Sequence, residues 1–236
     1  MSLARPAVLT GVPGAASLRV LADLCPLAQL RAGRLWRRLP QLYLGLVLYG
    51  VSHGLMYRGA LGLSPWDVLH SGVVRHTSLT MGQAVIAAAL VVLLLWIPLR
   101  EKPGLGTVSN AVLIGVSLDV TLRLLSPPTH LVPRMVLTGG GILLCAVATA
   151  MYIGAQLGRG PRDGLMTGLC RRTGWSVRLV RTGIEITVLA IGWLLGGTVG
   201  LGTVLYAIAI GPLVQAFLPM FTIRDLTTQK TAPVNA

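Results

Sequence analysis

Two aspartates stand in the same local setting 96 positions apart. Asp67 closes Gly62-Leu63-Ser64-Pro65-Trp66-Asp67, and Asp163 closes Gly158-Arg159-Gly160-Pro161-Arg162-Asp163. Pro65 and Pro161 suit the first turn of a helix, where the missing N–H costs little. Ser64 with Asp67 three residues on is a capping-box pattern, and an acid there meets the positive end of the helix dipole. His53, Asp119 and Glu185 fall inside apolar runs. Ionisable groups in hydrocarbon are costly and default to functional candidates. Ser64, Asp67, Gly160, Asp163, His53 and Glu185 are therefore the candidate substrate-binding residues. Proton coupling through the carboxylates or His53 is one use for such groups. A nucleophile with a base in reach is not recognisable, so no catalytic residue is assigned and the chain is not expected to be an enzyme.

Each candidate also has a purely structural explanation. Glu185 lies four residues after Arg181, on one helical face, where a local ion pair is expected. Asp119 and Arg123 share that spacing. His53 suits a neutral, hydrogen-bonded core position, and Asn110 a bond across helices. At the offset of 96, His53, Glu185 and Asp119 align with Thr149, Ala89 and Gln215, so any site they form is asymmetric. Cys25, Cys145 and Cys170 have no pair spacing, and no metal-ligand cluster or cofactor motif stands out; no metal and no cofactor are expected. Gly104-x-Gly106 and Gly200-x-Gly202 fit close helix approach better than phosphate binding.

The elements that must position these residues also occur twice. Gly104-Leu105-Gly106-Thr107-Val108 returns as Gly200-Leu201-Gly202-Thr203-Val204, and the offset gives 22 identities over the 78 positions 42–119. A shared offset across separated motifs indicates an internal duplication. The composition, 53% hydrophobic and 11% charged, is that of a membrane protein. The net charge of +13 does not indicate nucleic-acid binding, because the bases sit at the ends of apolar runs. Six segments approach the roughly 20 apolar residues of a span: about 41–58, 82–99, 105–124, 134–157, 177–195 and 200–221. The expected organisation is a basic cytoplasmic leader at 1–38, disordered or a basic amphipathic helix over Leu18–Leu39. Membrane repeats over 39–125 and 126–221 follow, then a polar cytoplasmic tail at 222–236. An odd number of spans per repeat inverts the second repeat. With a cytoplasmic N-terminus, 16 bases fall inside and four outside, in line with the positive-inside rule.

Two segments, 66–76 and 162–172, are too polar and short to cross. As helices they would be roughly 16 Å long, about half of a bilayer core of roughly 30 Å. They are either re-entrant half-helices, whose N-termini meet near the midplane, or amphipathic helices on the membrane surface.

The residues Leu44-Gly45-Leu46 through Gly50, Gly62 to Leu69, Pro103 to Thr107 and Gly160 to Met166 resemble the YczE/YyaS/YitT group of bacterial membrane proteins. The YczE-like branch is the nearest, and the resemblance covers about residues 38–221. It implies a multi-pass protein of the bacterial inner membrane and supplies no catalytic residue. The expected fold is all-α: six transmembrane helices as two inverted three-helix repeats, each with a short re-entrant or interfacial helix. The expected function is small-molecule transport, with an unknown substrate held between the repeats. The alternative is a non-transporting membrane partner that supports another enzyme through the basic stretch Arg159–Arg181. The lipid bilayer is the expected surrounding, with a homo-oligomer or a membrane partner compatible with it.

Overall fold

A computed structural model describes residues 26–31 and 33–223, and the described residues are helical without strands. The helices are α1 (Pro26–Arg31), α2 (Leu35–Gly59), α3 (Pro65–His76), α4 (Met81–Leu99), α5 (Leu105–Leu124), α6 (Leu131–Gly154), α7 (Pro161–Thr173), α8 (Val177–Leu194) and α9 (Leu201–Phe221). Four of them, α4, α5, α6 and α9, are long and apolar enough to cross a bilayer. Helices α2 and α8 are of similar length but carry the polar and charged side chains singled out in the sequence. The short helices α3 and α7 fall where the two non-spanning segments were expected.

Two boundaries differ from the sequence reading. Helix α2 begins at Leu35, inside the stretch 1–38 assigned to the leader. Arg38, counted there as a leader charge, is buried. Its guanidinium donates to the carbonyls of Gln29 (2.7 Å), Ala155 (2.9 Å) and Gln156 (2.7 Å). A buried charge is tolerable when carbonyls saturate its donors in this way. The continuous helix weighed over Leu18–Leu39 is broken at Gly33 and Arg34, which take left-handed backbone angles. Residues 1–25, and the tail from 224 onward, lie outside the described residues.

The duplication is visible in the backbone. Ala60 and Gln156, 96 positions apart, both take the left-handed conformation that non-glycine residues rarely adopt, with φ of 50° and 54°. Gly62 and Gly158 have φ of 127° and 126°. The contacts between the halves are reciprocal. The Gly202 N–H donates to the Leu61 carbonyl (2.7 Å), and the Gly106 N–H to the Leu157 carbonyl (2.8 Å). Thr203 Oγ1 accepts from the Leu63 N–H at 3.1 Å, whereas Thr107 Oγ1 donates to the Arg159 carbonyl at 2.6 Å. Each Gly-Leu-Gly-Thr turn thus clasps the loop that leads into the other half's short helix. Its glycine N–H groups are spent within the protein, Gly106 and Gly202 on carbonyls and Gly104 and Gly200 on the Thr107 and Thr203 hydroxyls, in keeping with the close-approach reading of these glycines.

Packing follows the same exchange. Helix α2 packs on α5 and α6 on α9, while α2 and α6 pack antiparallel along each other. The short helices lie against the opposite half, α3 on α8 and α7 on α4. Size is traded across these two contacts. Gly164 of α7 leaves room for the Trp96 ring of α4, and Gly192 of α8 leaves room for Val68 and Leu69 of α3. Trp96 Nε1 donates to the Pro161 carbonyl at 2.9 Å, which fixes the start of α7.

A methyl group on Gly62 would lie 2.7 Å from the Thr203 backbone nitrogen, whereas one on Gly211 of α9 would meet nothing within 4 Å. Gly62→Ala is expected to cost about 1–3 kcal/mol, from left-handed strain and lost clasping. Gly211→Ala is expected to be neutral or stabilising by up to about 1 kcal/mol, through helix propensity. Thermal unfolding of the detergent-purified variants checks both signs.

Candidate functional site

The entry to α3 builds the first half of the site. Ser64 caps the helix: its Oγ accepts the Asp67 N–H at 3.2 Å and donates to Asp67 Oδ2 at 2.7 Å. This turns the Asp67 carboxylate back toward α2. There His53 Nδ1 donates to Oδ2, and His70, one turn along α3, places Nδ1 3.2 Å from Oδ1. A carboxylate only accepts, so both imidazoles present N–H groups to it. Asp67, His53, His70 and Ser64 are all at most 2% exposed. Beyond His53, the Nε2 atom faces Cys145 Sγ at 3.8 Å, and the Tyr49 ring lies over the imidazole at 4.6 Å between centroids.

The entry to α7 builds the second half differently. Gly160 stands where α3 has Ser64, so Asp163 has no hydroxyl neighbour on its own helix. Instead Tyr152 of α6 donates to Asp163 Oδ2 at 2.7 Å. Tyr152 meets Tyr49 edge-on at 5.9 Å, so the ring series Tyr152, Tyr49 and His53 links the two acids. Between the halves, the Arg162 guanidinium lies 4.7 Å over the Trp66 ring. These two residues hold equivalent positions in the repeats, so the pseudo-symmetric halves meet at this cation–π contact.

Two cavities lie here side by side and share part of their lining. The first, about 60 Å³, is lined by Trp66, His70, Asn110, Tyr152, Arg162 and Asp163 among others. The second, about 220 Å³, shares Tyr49, Trp66, Tyr152, Arg162 and Asp163 with it and extends between α8 and α9. The first has room for waters or a small polar group; the second has room for a larger one. His70 Nε2 is buried without a hydrogen-bond partner. With Nδ1–H committed to Asp67, this atom is left as an acceptor, and His70 is part of the first cavity's lining.

A family model described as a family of unknown function, DUF6198, matches residues 36–219. The chain belongs to that family. It is 44% identical, over 75% of its length and 81% of the relative's, to an uncharacterized protein of Haemophilus influenzae. It is 35% identical to the Bacillus subtilis protein described as uncharacterized membrane protein YczE, over 82% and 92% of the two chains. It is 26% identical to the Bacillus subtilis protein YyaS, over 75% and 90%. No solved structure matches. The resemblance read from the glycine and Pro-x-Asp elements thus extends over helices α2 to α9, and the chain is a membrane protein of this family.

The chain brings Ser64, Asp67 and His53 into one buried cluster that lines neither cavity, and sets Gly160 and Asp163 in the lining of the first. Glu185 stands apart. It pairs with Arg181 at 2.9 Å, as the spacing indicated, and lines the second cavity. Asp119 does not take the expected partner Arg123. It accepts from the Thr80 hydroxyl and from the Gly82 N–H (2.8 Å), closing the N-terminus of α4, where four backbone donors need partners. Cys145 is the small buried residue anticipated, though it touches His53. Sequence reasoning missed His70, Tyr49, Tyr152 and the Trp66–Arg162 stack. His70 was findable, since it lies three residues after Asp67 on one helical face. The tyrosines carried no such signal.

Tyr152→Phe deprives the Asp163 carboxylate of its hydroxyl donor and is expected to cost about 1–3 kcal/mol. Tyr43→Phe, on the exposed face of α2, is expected to stay within about 0.5 kcal/mol. Comparison of unfolding midpoints in one detergent tests the difference.

Proposed function

We propose that the protein is a small-molecule transporter of the bacterial inner membrane, built from two inverted three-span repeats with cytoplasmic termini. The observation that carries this reading is the pair of cavities that share a lining from both halves. His70, with its unpartnered imidazole nitrogen, and Asp163, from the opposite repeat, both line the first, and Asp163 lines the second as well. Buried polar groups are normally satisfied, and a concave site with a few convergent polar groups is the usual form of a ligand site. In this reading α3 and α7 are re-entrant half-helices. Their N-terminal acids lie inward, and their C-terminal Arg75, Arg171 and Arg172 reach the exposed ends. The reciprocal clasps support a two-fold relation in the membrane plane, the frame of discontinuous-helix transporters. Movement of one repeat against the other would expose the cavities to each side in turn. The His53–Asp67–His70 cluster supplies groups through which a proton could be coupled.

The scaffold reading receives less support. It needs the bases of Arg159–Arg181 to be available to a partner. Arg162 is stacked on Trp66, Arg171 pairs with Glu101 and the Leu99 carbonyl, and Arg181 pairs with Glu185.

Ligand-dependent thermal stabilisation of the purified protein, screened over a metabolite library, tests the proposal. A ligand at a hundred times its dissociation constant stabilises by about 2.7 kcal/mol. The shift is expected to disappear in Asp67→Asn and Asp163→Asn, with both variants retaining normal membrane levels, since Asn has the shape of Asp and keeps one acceptor oxygen for the neighbouring donors. A ligand whose stabilisation survives in both variants contradicts the site. Silence across the library, together with co-purification of an enzyme, would favour the scaffold reading.

A further inference from the structure

The two halves differ most in how their last two long helices meet. In the first half, α4 packs along α5, and the clasp lies at the N-terminus of α4. A methyl group on Gly82 would lie 2.1 Å from the Gly115 carbonyl oxygen, so these backbones are in close contact. Asp119 ties the clasp by accepting from Gly82 N–H and Thr80. At the offset of 96, Thr80, Gly82, Gly115 and Asp119 become Ser176, Arg178, Gly211 and Gln215. The side chain of Arg178 excludes the glycine contact, and Gln215 replaces the acid that tied it. No comparable packing joins α8 to α9. Only 6% of the most apolar stretch of α9 is buried, against 39% for its counterpart α5. The helices therefore diverge from the short turn at 195–200, and the second cavity occupies the space between them.

The surroundings of this gap are those of a bilayer, and its depths are polar. Leu179, Ile186, Leu205 and Ile208 are exposed on the flanking helices. Inside, Arg162, Arg181, Asp163 and Glu185 give two positive and two negative charges. The neighbouring first cavity, lined also by His70, shares the Asp163 acceptor and the Arg162 donors with it. A lining of balanced charge favours neither a net anion nor a net cation. Its acceptors suit an ammonium, and its guanidinium suits a phosphate or carboxylate. An apolar tail could remain in the bilayer through the gap, while about 220 Å³ receives the head.

We infer that the α8–α9 gap is a lateral portal through which a zwitterionic, amine-bearing amphiphile inserts its head group between the repeats. This rests on the cavities being the substrate site and names the substrate class. Methionine positions allow a test in the native sequence. Met166 of α7 lines the second cavity, Met135 and Met220 are exposed on α6 and α9, and Met56 and Met81 are buried elsewhere. Full-length protein carrying photo-methionine is reconstituted in vesicles of equal parts phosphatidylethanolamine and phosphatidylglycerol, irradiated, and mapped by peptide mass spectrometry. Met135 and Met220 are expected to give adducts with both lipids. Met166 is expected to give several-fold more phosphatidylethanolamine than phosphatidylglycerol adduct. Arg178→Gly combined with Gln215→Asp, which copies the α4–α5 clasp, is expected to remove the Met166 adduct and leave that at Met220. A silent Met166 beside a reactive Met220 overturns the portal, as does a protein–protein adduct showing that a second copy fills the gap. Equal adducts of the two lipids overturn the head-group assignment. A Met166 adduct in a protein whose ligand responses ignore Asp67 and Asp163 would remove the transport reading alone. A ligand response that depends on both acids, with Met166 silent, would remove the portal alone.

Discussion

A carboxylate in an apolar interior must be surrounded by donors, and the architecture around Asp67 follows from meeting that demand. An unpaired ion there would cost several kcal/mol or more. Ser64, His53 and His70 each supply a donor, from the helix cap, from α2 and from the next turn of α3. The arrangement forces the start of a short helix into the core, which leaves the backbone of the preceding loop also buried. That loop is satisfied from the other half of the chain. Thr203 Oγ1 takes the Leu63 N–H, and the Gly202 N–H takes the Leu61 carbonyl. Glycines at 62, 200 and 202 are needed because backbone meets backbone there without room for a β-carbon. One buried acid thus explains the cap, the sharp loop and the glycine turn a hundred or more residues away.

The second half repeats the backbone solution but not the side-chain one. Gly160 replaces Ser64 and Met166 replaces His70, so Asp163 receives its donor from Tyr152 of α6 instead. The first acid is enclosed by three donors, and the second is half-exposed toward shared cavities. Duplicated frames that diverge in this way can hold one group fixed while leaving its counterpart available. The same divergence separates the clasped pair α4 and α5 from the parted pair α8 and α9. Both differences fall on the same side of the molecule, where Asp163 and the gap line one cavity.

Much of this was legible in the residues because hydrophobic runs and helix caps are local. The long helices follow the apolar segments to within a few residues, apart from α2, whose start is hidden by the charge of Arg38. That arginine reads as a surface base until the carbonyls of Ala155 and Gln156 are seen around it. The offset of 96 located both acids and both glycine turns, and the spacing of Arg181 and Glu185 gave their ion pair. What stayed hidden depends on partners remote in sequence. Tyr152 reaches Asp163 around a loop, His53 reaches Asp67 from another helix, and Asp119 ignores the adjacent Arg123 for the open end of α4. Local spacing ranks Arg123 first, but the unsatisfied N–H groups of a helix terminus are the stronger claim on a carboxylate near an apolar environment.

The position of the Trp66–Arg162 stack bears on how such a site could work. Equivalent residues touch only near a symmetry axis, so this contact marks where the halves meet. Two identical side chains there would be constrained to mirror each other's environment. An aromatic ring against a guanidinium avoids that constraint, since the cation is held by the ring face and its N–H groups stay free for other acceptors. Such a contact is attractive yet directionally tolerant, unlike the backbone clasps on either side of it. The halves are thus joined by backbone hydrogen bonds at the two clasps and by a directionally tolerant ring–guanidinium contact between Trp66 and Arg162.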